Sequence, residues 1–353
     1  MENVICLHEQ DDGIGWKHTN YRTKVACVTR ARILILQTII TVANYEYIFA
    51  WQFGTAADIH LEVRATGILS TQPIHRSMNE VGLPYGTVVH DQVLAAHHQH
   101  IFSLRIDPAV DGVKNTLLVE EAHPIPVGKE NPYGTGFVVK KRIVDKPGFE
   151  DLDISKARVF KIINENARNC VNGGPTGYKL YPYPSQVLLP PRRTLRLLHS
   201  FVCRVSGITY QMLLADPTSY HARRAEFADH AIWLTKYADN QLYSGGKFTN
   251  QSRGGSGVKS FIAATEGENA RNEDIVIWHS FSLTHTPRIE DFPVMPCEII
   301  SVGLKPSNFF SANPALDVPA SEQRFNRSSL YEAENHMQGS QERTVGDCGC
   351  SSE

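Results

Sequence analysis

Residues 95–107, AAHHQHIFSLRID, hold two histidines two positions apart in a run of strand-forming residues. On a strand, alternate side chains face the same way. His98, His100, Phe102, Leu104 and Ile106 therefore share one face, and Gln99, Ser103 and Arg105 share the other. Two imidazoles on an otherwise apolar face each need a hydrogen-bond partner or a metal to offset their desolvation. Histidine-rich sites suit zinc, copper, iron or nickel, and a square or tetragonal set of nitrogens suits Cu(II). The pair alone fits a structural role equally well, and a metal needs a third ligand. Residues 274–296, DIVIWHSFSLTHTPRIEDFPVMP, offer His279 and His285, and spacing does not choose between them. A third stretch, TVANYEYIFAW at residues 41–51, puts Tyr45 between Asn44 and Glu46 inside a run otherwise built for burial. A core tyrosine with its hydroxyl satisfied accounts for such a run taken alone. A redox ring would instead need a fixed position and a polar shell, which the two neighbours could supply.

Strands have to hold these residues. Short runs rich in Val, Ile, Thr, Phe and Tyr, bounded by Gly, Pro, Asn and Asp, recur along the chain: IHLEVRATGIL, GTVVHDQVLAA, GTGFVVKKRIV, EDIVIWHSFSL and CEIISVGLK. With few helical stretches between them, they predict an all-β fold, a large antiparallel β-sandwich over residues 1–320. After about Ser321 the chain turns polar, and residues 321–353 read as a disordered tail. Residues 190–211, PPRRTLRLLHSFVCRVSGITYQ, carry four arginines and no acid, unlike their surroundings, and read as an insert.

Composition narrows the function classes. The 353 residues are 42% hydrophobic and 20% charged with a net charge of −2, ordinary for a globular chain with a sizeable core. No basic stripe of the kind that phosphate backbones require is present, which argues against nucleic acid as a partner. The longest apolar segment, residues 33–43, is interrupted by Gln37 and threonines and falls short of a membrane span. The first residues show no basic flank or apolar stretch of a signal peptide. Seven scattered cysteines do not make a disulfide scaffold, and a reducing or mixed compartment is expected.

Taken together, TVANYEY, HHQH and SLTHTPRIEDFPVMP closely resemble the signature segments of the copper-containing primary amine oxidases, especially the fungal branch. The resemblance extends to CLHEQDDGIGWKHTNYRT, RATGILSTQPI, RRAEFADHAIWLTKY and LKPSNFFSANPALD, and covers most of residues 1–320. It implies that Tyr45, flanked by Asn44 and Glu46, is the precursor of topaquinone. It implies copper ligands His98, His100 and His285, with His279 a neighbour and Met295 close to the metal. A second, calcium-type cation is implied at Asp107 and Asp274 with the carbonyls of Pro108 and Ile275, although Ala109 stands where a further carboxylate is common. The implied chemistry is oxidative deamination of a primary amine by dioxygen to aldehyde, ammonia and hydrogen peroxide. A homodimer with exchanged hairpin arms and a cytoplasmic or peroxisomal location follow from the same resemblance.

The chain also departs from the family pattern. The family's catalytic base and a tyrosine that bonds the quinone lie further before the Asn-Tyr-Glu step than the 44 residues preceding Tyr45. The expectation is an N-terminally truncated catalytic domain with an insert at about 190–211, its base expected upstream of residue 1 and Cys6 left without its implied disulfide partner. Impaired oxidation of amines is then one reading. A non-catalytic copper-binding β-sandwich is the other.

Overall fold

The computed structural model describes residues 4–79, 83–185, 212–248 and 252–321. The insert expected at 190–211, and the tail apart from Ser321, lie outside the described residues. Four strands open the chain: β1 (Cys6–Thr19), β2 (Ala26–Val42), β3 (Tyr45–Gly54) and β4 (Ile59–Gly67). A small sheet follows, made of β5 (Thr71–Pro73), β6 (Gly86–His90) and β7 (Val93–Ala96). Then come β8 (His98–Ile106), β9 (Lys114–Pro124), β10 (Phe137–Val144), β11 (Gly148–Glu150), β12 (Val159–Arg168) and β13 (Pro175–Tyr181). The last three are β14 (Ile232–Lys236), β15 (Glu273–His285) and β16 (Met295–Ser307).

One layer runs β1-β2-β3-β4-β16-β13-β12-β9, with β10 beside β9; the other carries β8, β15, β14 and β11. They join where the start of β15 pairs with β9, Glu273 opposite Asn115 and Asp274 opposite Lys114. The pairings are antiparallel, as expected for strands joined by turns rather than by crossover helices. The expected all-β antiparallel sandwich is the fold observed.

Alternation builds the core. Val63, Leu117, Phe160, Leu180 and Val302 from one layer meet Ile232, Ile277 and Phe281 from the other, and half-buried Phe102, Leu104 and Ile106 pack against them. Each such side chain contributes about 1.5–3 kcal/mol relative to an exposed position, so the face of β8 read as apolar does point inward. One expected strand is divided: GTVVHDQVLAA forms β6 and β7 about a turn at Asp91 and Gln92, where Gln92 takes a positive φ of 59°. Asn79 holds that turn, its side-chain oxygen accepting the Gln92 N–H. Among the described residues, no helix is long and apolar enough to cross a membrane.

Candidate metal centre

Strand register brings the histidines together. In the β8–β15 ladder His98 stands directly opposite His285 and Leu283 opposite His100, so the three rings collect at one end of the two strands. The ring centroids of His98 lie 4.8 Å from His100 and 4.9 Å from His285. One nitrogen from each of the three falls within 4.8 Å of the others, the one cluster of its kind among the described residues. His279 stands elsewhere. It pairs with Leu104, is fully buried, and has both nitrogens occupied, Nδ1 by the Ala231 carbonyl at 3.0 Å and Nε2 by the Tyr183 N–H at 3.2 Å.

The hydrogen bonds identify which nitrogen each ring can offer. His285 Nε2 lies 3.0 Å from Asp291 Oδ2, and its Nδ1 is buried without a hydrogen-bond partner. His100 Nδ1 lies 2.6 Å from the Tyr47 hydroxyl, and its Nε2 is likewise buried and unpartnered. His98 gives Nδ1 to the Ala96 carbonyl at 2.9 Å and turns Nε2 toward the Tyr45 hydroxyl at 3.0 Å. Buried polar nitrogens without partners are costly. Three imidazoles presenting His98 Nε2, His100 Nε2 and His285 Nδ1 form a donor set that fits a copper ion, whose binding would remove that cost.

The surroundings favour the neutral form of His98 and His100. Burial pushes the His100 imidazole down to about 4, assisted by the nearby His98 and His285. Burial lowers His98 as well. Behind His285, burial alone would raise the Asp291 carboxyl, yet bonds from Arg288 and from His285 hold it down at about 2. A fixed anion therefore faces the Nε2–H of His285 and sets its tautomer.

Tyr45 stands at the head of β3, opposite Gly67 of β4, and is 8% exposed. Its hydroxyl accepts the Ser70 N–H at 3.2 Å and faces His98, while its ring packs with Leu69, Val89, Ala95 and Met295. Met295, 2% exposed, thus lies against the tyrosine. Strand alternation separates the two polar neighbours from the ring's face. Glu46 turns the other way and accepts from Thr41 Oγ1 at 2.9 Å, and Asn44 is an exposed turn residue whose carbonyl accepts the Ile68 N–H at 2.8 Å. Sequence reading passed over Tyr47 and Asp291. The period-two pattern carried the signal for Tyr47, since it shares the face of Tyr45; Asp291 was visible only as one acid in a Pro-rich loop.

At the proposed second cation position, Asp107 Oδ2 bonds Arg105 at 3.1 Å, and Asp274 sits at the start of β15. Burial and the charge of Asp107 both raise the Asp274 carboxyl. Ile275 is fully buried and Pro108 is buried, between exposed Asp107 and Ala109.

Fold and site together define a β-sandwich metalloprotein with a histidine centre built between its layers and a tyrosine against one ligand. Residues 1–325 match the family model described as copper amine oxidase, enzyme domain, and the chain belongs to that family. It is 45% identical over 322 residues to copper amine oxidase 1 of Aspergillus niger, covering 91% of this chain and 44% of that protein. The peroxisomal primary amine oxidase of Pichia angusta is 38% identical over 330 residues, covering 91% of this chain and 44% of that protein. The crystal structure of a copper-containing benzylamine oxidase from Hansenula polymorpha superposes with a TM-score of 0.79 at 45% identity, over 90% of this chain and 46% of that one. The chain spans under half the length of these relatives.

Proposed function

We propose that the chain carries the copper and quinone centre of a primary-amine oxidase, acting in oxidative deamination of a primary amine by dioxygen and water to aldehyde, ammonia and hydrogen peroxide. The observation that carries this reading is the Tyr45 hydroxyl 3.0 Å from His98 Nε2, beside two buried, unpartnered imidazole nitrogens. When bound, copper supplies the one-electron and dioxygen chemistry that oxidises the tyrosine to topaquinone, and the quinone supplies the electrophilic carbonyl for the amine. The chain's own residues do the positioning. His98, His100 and His285 would hold the metal, Asp291 and Tyr47 orient two of those rings, and Ser70 fixes the Tyr45 oxygen. Met295, Leu69 and Val89 keep water from the ring. Proton removal from the amine carbon needs a base, typically worth about 10²–10⁴-fold, and no described residue is assigned that role.

A peripheral divalent cation at Asp107 and Asp274 belongs to the same proposal, supported by the raised Asp274 carboxyl beside a second acid. A homodimer is supported by exposed apolar residues along the outermost hairpin, Leu7 and Ile14 of β1 with Leu34, Leu36, Ile39 and Ile40 of β2. A cytoplasmic or peroxisomal location rests on relatives such as the Pichia angusta protein, whose name places it in the peroxisome. The test is reconstitution with Cu(II) in air, followed by phenylhydrazine and mass spectrometry of the Tyr45 peptide. An adduct at Tyr45 that is lost in Tyr45→Phe and His98→Ala is the expected result; copper-loaded protein with unaltered Tyr45 counts against the quinone.

A further inference from the structure

Gly67 of β4 shares one rung of the sheet with Tyr45 of β3 on one side and Met295 of β16 on the other. Residues on one rung project to the same face, and a glycine puts no side chain between its neighbours. The Tyr45 ring and the Met295 thioether therefore meet over Gly67, in one buried cluster with Leu69, Val89 and Ala95. Met295 is 2% exposed, and the Thr66 hydroxyl donates to its carbonyl at 2.6 Å, which fixes the head of β16 there. A thioether packs well against an aromatic ring. It is also the group in this cluster most readily oxidised by peroxide.

The chemistry proposed at Tyr45 supplies that oxidant at the same spot. Two dioxygen molecules convert a tyrosine to topaquinone: two oxygens enter the ring, and the other two leave with two hydrogens as hydrogen peroxide. In the further step, the Met295 sulfur lone pair attacks one peroxide oxygen and the O–O bond breaks. That oxygen stays on sulfur as a sulfoxide, and the other departs with both hydrogens as water, so sulfur loses two electrons and peroxide gains two. Burial separates this route from ordinary oxidation by solvent. Met212 is 3% exposed but stands outside the cluster, its carbonyl accepting from Gln99 of the other face of β8, and Met78 is partly exposed. Peroxide from solvent should reach Met78 first; peroxide released at Tyr45 should reach Met295 first.

From this we infer that Met295 is a modification site of the centre itself, its thioether taking one oxygen from peroxide released beside it. The inference rests on the reading of Tyr45 as a quinone precursor. The sulfoxide puts a polar oxygen into an apolar cluster, so it alters the wall against which the ring packs. The test is mass-spectrometric peptide mapping of the full chain after Cu(II) is added in air, with catalase in the buffer to destroy escaped peroxide. An oxygen-free copper sample and a metal-free sample given hydrogen peroxide run beside it. The aerobic copper sample should show conversion of Tyr45 together with a gain of one oxygen at Met295, and Met212 unaltered. Neither change should appear without oxygen, and added peroxide should oxidise Met78 ahead of Met295. Converted Tyr45 beside an intact Met295 would overturn the inference and leave the quinone reading standing. Oxidation of Met295 no greater than that of Met212, or as ready as that of Met78 with added peroxide, would also overturn it, by making solvent the source. Unaltered Tyr45 in copper-loaded protein would remove the quinone reading and, with it, the local peroxide that this inference requires.

Discussion

Asp291 is the residue on which the orientation of His285 depends. Its carboxylate meets the ring at 3.0 Å and is itself fixed by Arg288, so the ring's other nitrogen is aimed at the cluster. Partners of this kind typically account for about 10–100-fold in metal affinity. Asp291→Asn should therefore bind copper within that range more loosely in a competition titration, and an unchanged affinity would remove Asp291 from the centre. His279 supplies a pH dependence that has nothing to do with metal. Complete burial pushes its imidazole down to about 4, and its Nε2 already accepts the Tyr183 N–H. Between the ordinary histidine value near 6.5 and about 4, the unfolded chain binds more protons than the folded one, so stability is whole above that window and falls on acidification through it. One such group corresponds to about 3 kcal/mol across the window. Urea unfolding of metal-free protein at pH 7.5, 5.5 and 4 should show the decline, and His279→Gln should remove its share and leave the part that the lowered His98 and His100 contribute.

Gly67 shows how an element depends on one backbone position. It pairs with Tyr45 at a φ of +107°, and a Cβ there would come 2.5 Å from the Asn44 carbonyl and 2.9 Å from the Tyr45 Cα. Gly67→Ala should cost roughly 1–3 kcal/mol from the backbone conformation alone and displace the head of β3. The expected phenotype is copper binding close to that of the parent with much slower modification of Tyr45; equal rates would mean that the strand end tolerates the shift. The strands around this point were largely legible in the sequence, because a period of two and β-branched runs are local properties. The inward face of β8 came from the same alternation. Choice between His279 and His285 was not local, since it depends on which residue of β15 stands opposite His98, and a ladder register is decided by core packing over the whole strand. Glu46 shows the same limit from the other side: alternation alone turns it away from the face of Tyr45, yet its neighbourhood suggested a shell around the ring.

At the scale of the whole molecule, two layers of one sandwich each contribute half of the centre. β3 brings Tyr45 and Tyr47, and β8 with β15 brings the histidines, so the site exists only when the layers pack. In the proposed homodimer, the exposed apolar hairpin of β1 and β2 would be the surface for a second subunit. Sedimentation analysis should give a dimer that Leu34→Glu with Ile39→Glu weakens without loss of copper, whereas a monomeric parent would contradict that assembly. In the proposed function, a three-histidine site holds copper against Tyr45, and the tyrosine is modified there. Mass spectrometry of the Tyr45 peptide, before and after Cu(II) is added in air, tests it most directly. The account predicts a copper-dependent gain of oxygen at Tyr45 with Tyr47 unaltered and no gain in His98→Ala or His285→Ala; full copper occupancy with Tyr45 unmodified would contradict it and leave a copper-binding sandwich without the quinone.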